Sequence, residues 1–154
     1  MLQEKDVAPD FELFDDAGQP TRLSDFRGKR VLLYFYPKSM TSGCTIQAQS
    51  LRDDFADYQA AGVVVIGVSP DPVKRQAKFK EKESLPFILL ADENHELAEK
   101  YGVWVEKSMY GRKYWGNERT SFLIDAGGNI EKIFRKVKPK THSEQILAAV
   151  NCEV

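Results

Sequence analysis

The 154-residue sequence predicts an α/β fold, a central mixed β-sheet with helices on both faces. Three observations carry this. Residues 31–36 and 63–68 are continuous apolar runs, the pattern of central strands covered on both sides. Stretches with helical spacing follow each run, and such alternation argues for a parallel sheet. Near the C-terminus two more apolar segments flank Asp125-Ala126-Gly127-Gly128-Asn129, a hairpin turn that adds antiparallel strands.

Taken in order, residues 1–9 are polar and form an extended lead-in. Phe11, Leu13 and Phe14 predict a short strand, closed by Asp15, Asp16 and Gly18, with Thr21 and Leu23 as its hairpin partner. Residues 23–29 read as a loop or single turn. After the first central strand, Cys44, Ala48, Leu51, Phe55 and Tyr58 recur at intervals of 4, 3, 4 and 3, one face of a helix ending near Gly62. The second central strand leads to Asp71-Pro72, an N-cap followed by proline at the first helical position. That helix runs to about Glu83 and has Val73, Ala77 and Phe79 to bury. Ser84-Leu85-Pro86 breaks it before a third strand, 87–90. Residues 94–101 predict a short helix stopped by Gly102. Residues 103–115, aromatic and basic, read as an irregular loop or ragged strand. Segments 121–124 and 130–137 form the hairpin. Thr141-His142-Ser143-Glu144 has the spacing of a capping box for a last helix that buries Ile146, Leu147 and Val150. This order of elements matches a thioredoxin-like sandwich better than a dinucleotide-binding fold. Neither Gly-x-Gly-x-x-Gly nor a phosphate-binding Gly-Lys-Ser/Thr follows the first long strand.

The length corresponds to a single domain spanning 1–154, large enough to bury its own core. A formal net charge of −1, from nearly equal basic and acidic counts, points to neither nucleic acid nor a membrane surface. The chain after Met1 is polar and acidic, so no secretory leader is expected, and no apolar run reaches spanning length. Two cysteines, Cys44 and Cys152, fit a reducing, cytoplasmic setting. With His95 and His142 they make no zinc spacing, so no metal or other cofactor is expected. Both histidines, at helix starts, are expected at the surface.

Cys44 stands where a polar loop after a strand meets the start of a helix. Unpaired N–H groups and the positive end of the helix dipole favour a thiolate there. A free cysteine on an apolar helix stripe is equally a small buried core residue, and the spacing leaves both readings open.

The string Pro37-Lys38-Ser39-Met40-Thr41-Ser42-Gly43-Cys44 fits Pro-x-x-x-Thr-x-x-Cys and resembles the active-site motif of the peroxiredoxins. Tyr34-Phe35-Tyr36-Pro37-Lys38, Cys44-Thr45-Ile46-Gln47-Ala48, Gly102-Val103-Trp104 and Arg119-Thr120-Ser121-Phe122-Leu123-Ile124-Asp125 are similar to the bacterioferritin-comigratory-protein, or PrxQ, branch. The likeness runs from Pro9-Asp10-Phe11 to the terminal helix.

The resemblance implies a thiol-dependent peroxidase that protects against oxidative stress by reducing hydrogen peroxide and organic hydroperoxides. Cys44 would be the peroxidatic cysteine, passing through a sulfenic acid. Arg119 would favour its thiolate, Thr41 would offer its hydroxyl to the peroxide, and Pro37 would shield the sulfur from water. Backbone N–H groups around Gly43 and Cys44 would stabilise the departing oxygen, with Gln47 near the pocket. Thr41 is also readable as a helix cap and Arg119 as a surface ion pair. Trp104, Tyr110, Tyr114 and Trp115 suit a pocket lining or loop packing.

The chain departs from the family at three places. Position 49, where a resolving cysteine commonly stands, is Gln49; the helix after Pro72 has no cysteine; and Ser42 replaces the motif's usual proline. The remaining candidate resolving cysteine is Cys152, which is also readable as incidental on a fraying tail. Otherwise an external thiol (thioredoxin, glutaredoxin or glutathione) would reduce the sulfenic acid directly. A monomer is expected. A dithiol oxidoreductase is disfavoured because Cys44 has no Cys-x-x-Cys partner. A peroxide-responsive redox sensor or binding module is the non-catalytic alternative.

Overall fold

The computed structural model describes residues 2–151. Nine strands and five α-helices follow the order β1 (Glu12–Asp15), β2 (Pro20–Arg22), β3 (Arg30–Phe35), α1 (Ser42–Asp53), α2 (Phe55–Ala60), β4 (Val63–Ser69), α3 (Val73–Glu83), β5 (Ile88–Ala91), α4 (Glu96–Lys100), β6 (Trp104–Met109), β7 (Arg112–Asn117), β8 (Thr120–Ile124), β9 (Ile130–Phe134) and α5 (His142–Val150). A 3-10 turn, Leu23–Phe26, separates β2 from β3, so Leu23 belongs to the turn and not to the hairpin.

Seven strands form one sheet in the order β2-β1-β5-β4-β3-β8-β9. The central trio β3, β4 and β5 is parallel, and β8 pairs antiparallel with β3. Side chains alternate across a strand, which explains the unbroken apolar run of β3. Val31, Leu33 and Phe35 enter one core with Leu97 and Ala98 of α4. Leu32, Tyr34 and Tyr36 enter the other with Cys44, Ala48 and Leu51 of α1, Tyr58 of α2, Phe79 of α3 and Ile146 of α5. Fully burying each such side chain contributes about 1.5–3 kcal/mol, so both layers bind the sheet firmly. Opposite Tyr34, β4 carries Gly67, where a Cβ would lie 2.9 Å from the tyrosine ring.

Further expectations are corrected. The helix after Cys44 breaks at Asp54 (ψ 8°), whose carboxylate accepts a 2.6 Å bond from Ser143 on α5. Asp71 does not cap α3: Pro72 takes that place, and Asp71 is buried in a network described below. Gln76 and Phe79, not Val73 and Ala77, are the buried residues of α3. Residues 104–117 are an ordered antiparallel hairpin of two strands, registered from Trp104↔Asn117 to Met109↔Arg112. It escaped the sequence pattern because most of its side chains are exposed, leaving little apolar alternation.

At the C-terminal end β9 stops at Phe134, three residues short of Val137, whose N–H turns back to the Arg119 carbonyl at 2.9 Å. Thr141 precedes α5 without a side-chain cap bond, so the capping box does not form. Ile146 and Val150 are buried there and Leu147 half-buried. Among the described residues no helix is long and apolar enough to cross a membrane.

Candidate active site

Proline has no N–H to offer a ladder, and Pro37 ends β3. The exit is fixed on both sides: Tyr36 N–H reaches the Val68 carbonyl at 3.0 Å, and Asn117 Nδ2 donates to the Tyr36 carbonyl at 3.2 Å. The following loop is pinned by Asp71. Its carboxylate accepts from Ser39 N–H at 2.8 Å and Ser69 Oγ at 2.6 Å, and pairs with Arg75 Nε at 3.1 Å. Gln76 continues the network, donating to Ser69 Oγ and accepting from the Tyr36 hydroxyl at 2.6 Å. Met40 then adopts φ +65°, a left-handed conformation uncommon outside glycine and asparagine.

Thr41 is the N-cap of α1, yet its hydroxyl makes no cap bond and donates instead to the Lys38 carbonyl at 2.7 Å. The first intrahelical bond runs from Thr45 N–H to the Thr41 carbonyl at 2.9 Å, leaving the amides of 42–44 as the unpaired donors of the first turn. Cys44, the third residue of α1, is a free thiol and 2% exposed, packed beside Tyr34 and Tyr36. Burial, reinforced by the proximity of Tyr36 and Cys44, raises the Tyr34 phenol well above its ordinary range.

Arg119, on the short link between β7 and β8, reaches over this turn. Its Nη1 donates to Gln47 Oε1 at 2.8 Å. Its Nη2 lies so close above Gly43 that a Cβ there would be 2.7 Å away. Lys107 of β6 is half-buried nearby; burial and then the Arg119 charge lower its ammonium pKa, while Cys44 and Glu118 act in the opposite sense.

Pro37, Thr41, Gly43, Cys44, Gln47 and Arg119 thus gather around the start of α1. Cys152 lies outside the described residues. His142, expected at the surface, is wholly buried at the start of α5. Its Nδ1 is 3.2 Å from Gln47 Nε2 and its Nε2 is 2.6 Å from Ser121 Oγ. Burial, and then the Arg119 charge, push its pKa down to about 3, so the imidazole is neutral. His142 was missed because its partners, Gln47 and Ser121, are distant in sequence, and the role of Asp71 because Asp-Pro reads as a cap while the loop it pins through Ser39 lies 32 residues away. His95 is half-exposed and stacks on Trp104 at 4.1 Å between ring centroids, so Trp104, at the start of β6, packs against the N-cap of α4 while Trp115 and Tyr110 face solvent.

Comparison with known proteins gives this geometry its class. The AhpC/TSA family profile matches residues 5–133, and the chain belongs to that family. Peroxiredoxin Bcp of Escherichia coli K12 is 49% identical over 146 residues, covering 95% of this chain and 94% of that protein. Peroxidoxin BcpB of Mycobacterium tuberculosis superposes with a TM-score of 0.87 at 32% identity, over 97% of both chains. The Xanthomonas campestris bacterioferritin comigratory protein, solved in connection with its alkyl peroxide reduction activity, gives 0.86 at 34%, covering 91% and 89%. Within its family the chain is a Bcp/PrxQ-type peroxiredoxin of thioredoxin-like fold, a thiol-dependent peroxidase.

Proposed function

We propose that Cys44 is the nucleophile of this peroxidase and that Arg119, Thr41, Gly43, Gln47 and Pro37 assemble its site. The thiolate attacks the terminal oxygen of a hydroperoxide, the S–O bond forms as the O–O bond breaks, and hydroxide or alkoxide leaves to take a proton and become water or an alcohol. Sulfur is oxidised to the sulfenic acid and the peroxide is reduced. The observation that carries the reading is the convergence of the Arg119 guanidinium on the first turn of α1, beside Cys44. Positive charge and unpaired amides there oppose the negative charge that passes from sulfur to the departing oxygen. Because the Thr41 proton is engaged by Lys38, its oxygen is available to accept the peroxide O–H. Pro37, at the strand exit, screens the sulfur from water.

The substrates are hydrogen peroxide and small organic hydroperoxides; the alkyl peroxide activity of the Xanthomonas relative supports the second group. The sulfenic acid condenses with an external thiol, releasing water, and a second thiol frees Cys44 as a disulfide departs. Thioredoxin, glutaredoxin or glutathione supplies these thiols. Support for this one-cysteine route is the absence of a cysteine at position 49 and in the helix after Pro72, the places where a resolving cysteine commonly stands in this branch. A monomer in the cytoplasm completes the proposal.

Peroxide consumption with thioredoxin or glutathione supplied tests the reading. Cys44→Ser is expected to abolish turnover, and full activity in that variant would end the proposal. Intact mass after one equivalent of peroxide tests recycling: one added oxygen in both wild type and Cys152→Ser supports the external route, and loss of two hydrogens in wild type alone overturns it.

A further inference from the structure

We infer that His142 is a positioning residue for peroxide reduction, holding the Gln47 carboxamide with its oxygen toward Arg119. The inference rests on the proposed role of Arg119. A glutamine amide has an oxygen and a nitrogen of nearly equal size, and only the oxygen can receive the guanidinium. The wrong face would set N–H against N–H, in a residue wholly buried from bulk solvent.

His142 removes that ambiguity. Neutral imidazole has one donor nitrogen and one acceptor nitrogen. In the tautomer that carries its proton on Nε2, the ring donates to Ser121 Oγ at 2.6 Å and Nδ1 accepts from Gln47 Nε2–H at 3.2 Å. It is the one arrangement that satisfies both contacts together with the Arg119 bond to Gln47 Oε1. Gln47 Oε1 is then left for Arg119 Nη1 at 2.8 Å. The relay runs from β8 through α5 and α1 and returns to the link preceding β8, so each polar group fixes the next. Among the described residues, the groups facing His142 are Gln47, Ser121, the Tyr34 ring at 5.8 Å between centroids, and the Arg119 charge, none of them a carboxylate. A protonated imidazole is thereby disfavoured, and the donor–acceptor order of the relay is preserved.

The test is the rate constant for Cys44 oxidation by hydrogen peroxide, with thermal unfolding followed in parallel. His142→Leu is expected to lower it about tenfold or more, because misaligned donors lose much of their value. His142→Asn, whose Oδ1 can take the Nδ1 place, is expected to recover most of the rate. His142→Gln, which reaches toward Ser121 but leaves Gln47 unpartnered, should stay slow. In an Arg119→Ala background the Leu substitution should cost nothing further. Additive losses, or Asn no faster than Gln, overturn the inference. If the Leu variant does not fold, the Asn–Gln pair decides alone. Wild-type rates in Arg119→Ala would instead overturn the proposed role of Arg119.

Discussion

Arg119 and Gly43 are packed so closely that a single methyl group on the glycine would sit 2.7 Å from Nη2. Alanine favours a helix over glycine by about 1 kcal/mol, so Gly43→Ala should leave stability unchanged or slightly raised. The guanidinium must nevertheless shift, and peroxide reduction is expected to fall roughly 10- to 100-fold. Stopped-flow oxidation rates beside urea melts check this; a wild-type rate would mean that the close approach has no catalytic value.

The Thr41 hydroxyl donates to the Lys38 carbonyl and makes no side-chain cap bond, which separates chemistry from folding at this position. Thr41→Val is expected to cost about 1 kcal/mol of stability at most. Its oxidation rate should drop about 100-fold, with Thr41→Ser close to wild type. Equal activity in Val and Ser variants would show that the hydroxyl does not touch the peroxide.

Asp71 ties the loop to the sheet through Ser39, Ser69 and Arg75, all around a buried carboxylate. Asp71→Ala strands those donors and should cost about 3 kcal/mol in denaturant unfolding. A loss below about 1 kcal/mol would demote the network to a surface-like contribution.

His142 makes stability depend on acid. Its pKa is about 3 when folded against 6.5 ordinarily, so the unfolded chain takes up a proton that the folded chain refuses. The stabilisation is complete above about pH 6.5 and fades as pH falls toward 3, a loss on the order of a few kcal/mol. Asp92, raised by burial, acts with the opposite sign and is common to any His142 variant. Unfolding free energies at pH 7 and 4.5 should therefore differ less in His142→Asn than in wild type. Equal differences would show that His142 is not a neutral buried base.

What the sequence revealed follows from where each interaction lies along the chain. Strands β3 and β4 were legible because burial on both faces removes every polar residue from the run. Cys44, Thr41 and Pro37 were legible because one loop carries them at fixed spacing. Asp71 looked like a cap because Asp-Pro is a local signal, while its true partners, Ser39 and Arg75, flank it from two elements. His142 offered only a helix-start position; what buries it are Gln47 and Ser121, which are 95 and 21 residues away. The 104–117 hairpin hid because its register is set by backbone pairing and not by an apolar face. Gln47 was placed near the pocket by its one-turn offset from Cys44, but the direction of its amide needed α5.

The 2% exposure of Cys44 imposes a size asymmetry on the two halves of the proposed cycle. A hydroperoxide can be small enough to meet the sulfur from the mouth of the first helical turn. A thiol carried by a peptide or a protein cannot, and its attack must await a transient fraying of α1. Oxidation would then scale with peroxide concentration, whereas regeneration would level off at the opening rate of that turn, however much reductant is supplied.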